Sequence, residues 1–132
     1  MAGSSTTLSG QLNTTRLQRF DVTYVADDAD GSIPAKTVTV RDGLLSHWEH
    51  NPGATVATSG FDVTLVNDNG VDALCGGGVD IITTAGANAT GGPLPDGSLI
   101  SPVPVSGTLD VTITGNSVND ATGVFSFYVI TL

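Results

Sequence analysis

Short runs of alternating apolar and polar residues recur along this chain, and they limit the folds that it can adopt. The clearest are FDVTL at 61–65 and LDVTI at 109–113, and further strand-like runs lie at 20–24, 36–40 and 44–50. A period of two is typical of a strand with one buried face. The sequence therefore predicts an all-β fold: a single β-sandwich or jelly-roll-like domain of about seven to eight short antiparallel strands.

Composition excludes the main alternatives. Glu and Lys occur once each among 132 residues, so the chain lacks residues that favour helices. Four basic and thirteen acidic residues give a net charge of −9 at pH 7, which argues against binding to DNA or RNA. No apolar run approaches the length of about 18 residues that a membrane span needs, and residues 1–10 lack the pattern of a signal peptide. We therefore expect one domain with neither nucleic-acid nor membrane partners.

The N-terminal segment differs from the rest of the chain. Residues 1–15 are mainly Ser, Thr, Gly and Asn, with Leu8 and Leu12 as the larger aliphatic residues. This composition predicts a flexible N-terminal arm at 1–15, followed by the β-sandwich domain at 16–132. Such an arm can become ordered on the surface of a neighbouring protein.

Turn-forming residues separate the predicted strands. The acidic segment 27–31, the pair Asp42-Gly43 and the segment 67–70 each predict a tight turn. Residues 71–75 fit a short strand or one helical turn, 79–83 fit another short strand, and 85–96 form a predicted surface loop. The segment 99–105 carries Pro102 and Pro104, which predicts an extended edge or crossing segment and not a central strand.

The last predicted strand, 124–132, is apolar on both faces. Phe125, Phe127 and Val129 fall on one face, and Val124, Tyr128 and Ile130 fall on the other. A strand with two apolar faces is normally covered on both sides. We therefore expect this strand to lie at the centre of the sandwich or beneath another subunit.

Candidate metal sites are weak. In the segment HWEH at 47–50, His47 and Glu49 would share one face of a strand while His50 points the other way, so three ligands do not converge. The Asp- and Asn-rich turns at 28–31 and 67–72 resemble calcium loops, but both lack the acidic first ligand and the final Glu. The favoured interpretation is a polar strand end with Trp48 anchored in the core, together with Asx turns, and no cofactor is expected.

The sequence gives no enzyme signature. The Gly-x-Ser-x-Gly motif is absent, and Cys75 is the single thiol. Spacing leaves open a Cys75 pair with His47 or His50, because such partners meet only in the folded chain. A buried or incidental cysteine is the favoured interpretation, and a single cysteine fits assembly in a reducing cytosol.

Several patches, in order along the chain, resemble small virion proteins of tailed bacteriophages. They are NPGAT at 51–55, FDVTL at 61–65, DNGVDAL at 68–74, GGG at 76–78, GTLDVTI at 107–113 and GVFSFYV at 123–129. The resemblance extends over residues 17–131. Cys75 and a longer loop at 85–98 depart from the pattern.

This resemblance implies a capsid decoration (cement) protein, assembled in the host cytoplasm and bound to the exterior of the phage head. The implied partners are the major capsid protein and further copies of this chain, with a homotrimer favoured over a dimer. A protein that binds only the mature lattice stabilises it by mass action. The candidate anchors to the capsid are Leu8, Leu12 and Arg16 of the arm. The candidate subunit contacts are Trp48, Phe125, Phe127 and Tyr128, with core packing as the alternative for each.

Two other functions stay open. A tail, neck or fibre-associated module of the same particle would show the same composition. A carbohydrate-binding jelly roll would use Trp48 or Tyr128 as a sugar-stacking platform and the Asp-rich turns for calcium.

Overall fold

The protein folds as antiparallel β-structure, which confirms the all-β prediction. The computed structural model describes residues 4–74, 78, 89–91 and 103–132, and the described residues contain no helix. Their strands are β1 (Ser5–Asn13), β2 (Leu17–Val25), β3 (Lys36–Pro52), β4 (Asp62–Val66), β5 (Ala89–Gly91), β6 (Val103–Thr114) and β7 (Thr122–Thr131). The predicted strand at 79–83, the loop at 85–96 and Cys75 lie outside the described residues.

All seven strands belong to one hydrogen-bonded sheet. The order across it is β1-β2-β7-β3-β6-β4, and the short β5 also pairs with β3. Every neighbouring pair is antiparallel. The more specific sandwich or jelly roll stays a prediction, because the strands form a single continuous sheet.

The long strand β3 replaces two predicted strands, so the predicted turn at Asp42-Gly43 is wrong. The pairing of β3 with β6 shifts register between Val40 and Gly43, which makes this position a bulge. The buried Gln18 side chain holds the bulge: it accepts from the Arg41 amide at 2.7 Å and donates to the Arg41 carbonyl at 3.1 Å. Gly43 is required because a Cβ there would collide with the backbone of Ile130.

The predicted flexible arm is instead an edge strand. Residues Ser5–Asn13 form β1, which pairs with β2 along its length except for a register shift between Leu8 and Gly10. A turn joins the two strands, in which the Thr14 amide donates to the Leu17 carbonyl at 2.9 Å. Alternate β1 side chains are half-buried, and Leu8 packs against the core. Pairing with β2 orders this segment although its composition is polar.

The remaining turns agree with the sequence. Gly31 and Gly70 have positive φ angles of 76° and 79°, the conformation for which glycine is suited. The 67–70 turn closes with the Asn67 amide donating to the Val71 carbonyl at 2.9 Å. Pro104 lies where β6 pairs with β3 alone, since β4 pairs only with residues 110–114 of β6. Pro104 therefore lies at a position with one described partner strand, where proline is tolerated better than in the centre of a sheet.

The core is one apolar cluster built from alternate residues of the strands. Its largest members, all fully buried, are Phe20, Tyr24, Leu45, Phe61, Leu65, Leu74, Leu109, Phe125 and Phe127. Phe20 and Phe127 stack at a ring-centroid distance of 4.9 Å across the β2–β7 pair. The cluster joins β2 and β7 to β4 and β6, so residues from both ends of the sheet order share one core.

The segment after β4 covers the outer edge of the sheet. The Val63 amide donates to the Gly78 carbonyl at 2.8 Å, and the Ala73 amide donates to the Leu65 carbonyl at 2.7 Å. The Leu65 amide donates to Asp72 Oδ1 at 3.0 Å. The edge strand β4 therefore has hydrogen-bond partners on both sides.

Replacing Asp72 with alanine is expected to lower the free energy of unfolding by about 2 kcal/mol. Asp72 Oδ1 accepts from the amides of Leu65 and Leu74, each at 3.0 Å, and hydrogen bonds to a charged group are among the stronger ones. Urea unfolding measures the change. Asp68→Ala in the exposed turn is the matched control with a smaller expected loss, and equal losses for the two variants would contradict the assignment.

Candidate functional site: the outer face of the sheet

We call the side of β1, β2, β7, β3 and β6 that is opposite the core the outer face. The two predicted apolar faces of β7 differ in burial. On the inner face, Phe125, Phe127 and Val129 are fully buried. On the outer face, Val124 and Tyr128 are half-buried and Ile130 is 44% exposed. The strand lies between β2 and β3, as its central position in the prediction requires. Its second apolar face has no cover among the described residues.

An apolar strip crosses four strands of the outer face. Ile130 on β7 is paired with Leu17 on β2 and with Leu44 on β3, and Leu44 is paired with Pro104 on β6. Directly paired residues project to the same side of a sheet, so these four side chains form a row. Leu17 and Leu44 are half-buried, while Pro104 and Ile130 are exposed. We call this row the apolar strip.

The next row of the outer face is polar and aromatic. Tyr128 donates its hydroxyl to Glu49 Oε2 at 3.3 Å, and His47 Nε2 lies 3.2 Å from Glu49 Oε1. The rings of His47 and Tyr128 are 5.4 Å apart. Partial burial and the Glu49 carboxylate raise the pKa of Tyr128.

A second group of hydrogen bonds lies beside this row. Ser126 donates its hydroxyl to Asp21 Oδ1 at 2.7 Å, and Arg19 Nε lies 3.4 Å from Asp21 Oδ2. Gly10 on β1 leaves room for this carboxylate, because a Cβ there would come within 2.7 Å of Asp21 Oδ2. The two groups line a shallow depression and give the apolar strip a polar border on rigid strands.

Beneath this face lies a buried pair that the sequence did not predict. Tyr24 and His50 share a 2.8 Å hydrogen bond between the Tyr24 hydroxyl and His50 Nε2. Burial raises the pKa of Tyr24 to about 12 and lowers the pKa of His50 to about 4, so both groups are neutral at pH 7. Gly123 makes room, since a Cβ there would lie 2.6 Å from the Tyr24 hydroxyl and 2.9 Å from His50 Nε2. One feature of the sequence pointed to this pair: the alternation of residues along the strand places His50 on the same, inward face as Trp48.

The HWEH segment divides between the two faces, as its alternation predicts. His47 and Glu49 lie on the outer face, and His50 is 1% exposed in the core. Within residues 4–74, 78, 89–91 and 103–132, no group of three or more His, Cys, Asp or Glu is placed to hold a metal ion.

The predicted Asx turns are confirmed. Asp27 Oδ1 accepts from the Ala29 amide at 2.8 Å, and Asp30 Oδ1 accepts from the Ser32 amide at 2.9 Å. Hydrogen bonds from Ser32 hold the pKa of Asp30 below its usual value. The 67–70 turn is closed in the same way by Asn67 Oδ1. Asp27, Asp30 and Asn67 therefore bond to the backbone of their own turns.

Three of the four predicted subunit-contact aromatics belong to the core. Trp48 is 5% exposed, and Phe125 and Phe127 are fully buried. Alternation places them on the side of the sheet that this chain covers by itself, so they are not available to a second subunit or to a sugar. Tyr128 is the member of the set on the outer face, and its hydroxyl is bonded to Glu49.

The predicted capsid anchors Leu8, Leu12 and Arg16 do not lie on a free arm. Leu8 packs against the core from β1, and Leu12 is half-buried opposite Arg19. Arg16 is exposed in the turn between β1 and β2. The residues that the sequence did not single out are Leu17, Leu44 and Pro104 of the apolar strip, which only the strand pairing brings together.

In the described part of the chain, no helix is long and apolar enough to pass through a membrane. No family model, no curated protein and no solved structure was found to match this chain.

Proposed function

We propose that this chain is a non-enzymatic structural protein of a phage particle, which binds the outer surface of the head and stabilises it. The observation that carries the proposal is the apolar strip, a row of four apolar side chains, two exposed and two half-buried, that lies beside the polar groups of the outer face. Exposed apolar surface with a polar rim is typical of a protein-binding site. The resemblance to phage virion proteins supplies the class of partner.

The position and charge of the outer face support binding to a protein lattice. The strip lies on paired strands, so its side chains are held in place before binding, and little conformational entropy is lost in the complex. The net charge of −9 favours the exterior of a head over contact with packaged DNA. A protein that binds the mature shell alone adds its binding free energy to that state, about 2.7 kcal/mol per site at a hundredfold excess over Kd.

Replacing Ile130 with aspartate is expected to weaken binding to shells that lack this protein by at least about tenfold. The substitution puts a charge into the strip, and desolvating that charge in a contact costs more than about 1.4 kcal/mol. Co-sedimentation measures the binding, and the melting temperature of the shell measures the stabilisation. Val71→Asp is the matched control, since Val71 is 57% exposed but lies in the 67–72 turn.

The outcomes separate the proposals. Wild-type protein that raises the melting temperature of shells supports decoration, and equal binding by Ile130→Asp and Val71→Asp would place the contact elsewhere. Wild-type protein that ignores shells but binds isolated tails or necks would overturn decoration in favour of a tail or neck module.

A further inference from the structure

Among the described residues, the outer side of the edge strand β1 has no backbone partner, and its one link to the loop before β3 is the Thr6 hydroxyl, which donates to the Pro34 carbonyl. Pairing with β2 supplies backbone hydrogen bonds on the other side of β1. The opposite edge strand, β4, is covered by the segment that follows it. Edge strands of proteins that remain separate usually carry charged residues, proline or bulges; Ser5–Asn13 contains no charge and no proline, and has one register shift between Leu8 and Gly10.

The two ends of this edge differ in charge: arginines outnumber the neighbouring Asp42 at one end, and aspartates outnumber the neighbouring Lys36 at the other. Three of the four basic residues of the chain, Arg16, Arg19 and Arg41, lie around the turn that joins β1 to β2. Arg41 is fixed there, because its guanidinium donates to the Thr14 carbonyl. At the other end, Val25 of β2 is paired with Ser5 and leads directly into the turn that contains Asp27, Asp28 and Asp30. The nine residues of β1 separate these ends by about 30 Å.

We propose that two copies of this chain associate by antiparallel pairing of their β1 strands, which makes one sheet continuous across the dimer. Antiparallel pairing places the basic end of each copy beside the acidic end of the other, and the two-fold axis repeats this contact. Parallel pairing would bring like charges together. The uncharged strand lets the backbones approach although each copy has a net charge of −9.

The symmetry of this contact determines how many subunits associate and how their outer faces are oriented. A contact between the same strand of two copies is isologous and closes with two subunits, so this edge forms a dimer and not the trimer that the resemblance implies. The two-fold axis of an antiparallel pair is perpendicular to the sheet, so the outer faces of both copies point to the same side. A dimer therefore presents two apolar strips to one surface. The pairing itself does not depend on the proposed role in a phage head.

Charge reversal tests the proposal in the absence of shells. In sedimentation experiments, the mass of the wild-type protein should approach twice the 13.3 kDa of one chain as the protein concentration rises. On dilution, the dimer should dissociate to monomers. Arg16→Glu and Asp28→Lys should each weaken the dimer about tenfold, because each change turns two attractive contacts into repulsive ones. The double variant Arg16→Glu/Asp28→Lys should regain the wild-type Kd. The double variant Arg16→Glu/Asp68→Lys has the same net charge, but its second change lies beyond the opposite edge and should not restore pairing.

Hydrogen exchange identifies the strand that pairs. Amides of Ser5–Asn13 should exchange more slowly as the protein concentration rises through the Kd, while amides of the 67–72 turn should not change. A wild-type protein that stays monomeric up to about 200 μM would overturn the proposal, as would a Kd that neither single reversal alters. A dimer in which exchange of the β1 amides is independent of concentration would also overturn it.

Discussion

Replacing Phe127 with alanine is expected to lower the free energy of unfolding by about 3–5 kcal/mol. Phe127 is fully buried, stacks on Phe20 at 4.9 Å and lies 6.3 Å from Phe125. Removing the ring leaves a cavity between strands that already pair along their length, so the backbone has little freedom to collapse into it. The free energy of unfolding of an ordinary domain is about 5–15 kcal/mol, so this variant would retain only part of its stability.

The same experiment separates a core residue from a subunit contact. Urea unfolding at several protein concentrations should give the same loss throughout, because the ring is buried within one chain; a contact between subunits would make the loss depend on concentration. Tyr128→Ala on the outer face is the matched control, with an expected loss of about 1 kcal/mol. A loss below that value for Phe127→Ala would contradict its placement in the core.

The alternation of apolar and polar residues correctly predicted the strands that bury one face. β2, β4, β6 and β7 all carry valine, leucine, isoleucine or phenylalanine at alternate positions, and these side chains form the core. β1 was missed because its half-buried positions include Thr6 and Gly10, so the pattern has little apolar contrast. Its order comes from pairing with β2, a tertiary contribution that local composition does not reveal.

The bulge in β3 shows a second limit of local patterns. Asp-Gly is a strong turn signal because glycine permits positive φ, yet Gly43 serves a different need. Here its missing side chain allows the backbone of β7 to approach, and the distant Gln18 satisfies the Arg41 amide and carbonyl. A residue 23 positions away therefore decides between a turn and a continuous strand.

The candidate site was predictable only in part. The two apolar faces of 124–132 correctly indicated a central strand, while cover by another subunit stays a prediction. The chain buries one of these two faces and leaves the other exposed. The residue types do not reveal which, because Phe125, Phe127 and Ile130 are all large and apolar. The apolar strip depends on the pairing of Leu17 with Ile130, which are more than a hundred residues apart, and no local signal encodes that register.

Lowering the pH from about 6.5 to about 4 is expected to remove about 3 kcal/mol of stability through His50. Burial lowers the pKa of His50 from 6.5 to about 4 in the folded chain. Between these values the imidazole of the unfolded chain binds a proton and the folded one does not, so falling pH favours unfolding. Above pH 6.5 both states are neutral and the contribution is complete; below about pH 4 the loss is complete.

The surroundings of His50 explain why the folded chain resists the proton. Its ring contacts Tyr24 and the edge of Phe61, and Nδ1 has no hydrogen-bond partner among the described residues. His47 and Glu49 of the same strand lie on the outer face. Protonation of His50 would place a positive charge in a buried site, where the charge loses its hydration.

Urea unfolding across pH 4–7.5 measures this contribution. The variant His50→Gln has no titrating group at this position. Its free energy of unfolding should therefore change less steeply with pH than that of the wild type, by the equivalent of about one bound proton, whatever its stability at pH 7. His47→Gln is the matched control, because it removes the other imidazole, on the outer face. In the folded wild-type protein, the His50 ring resonances should not titrate above pH 5. Equal slopes for wild type and His50→Gln, or a His50 midpoint near 6.5, would contradict the buried neutral pair and imply that water reaches the imidazole from below the sheet.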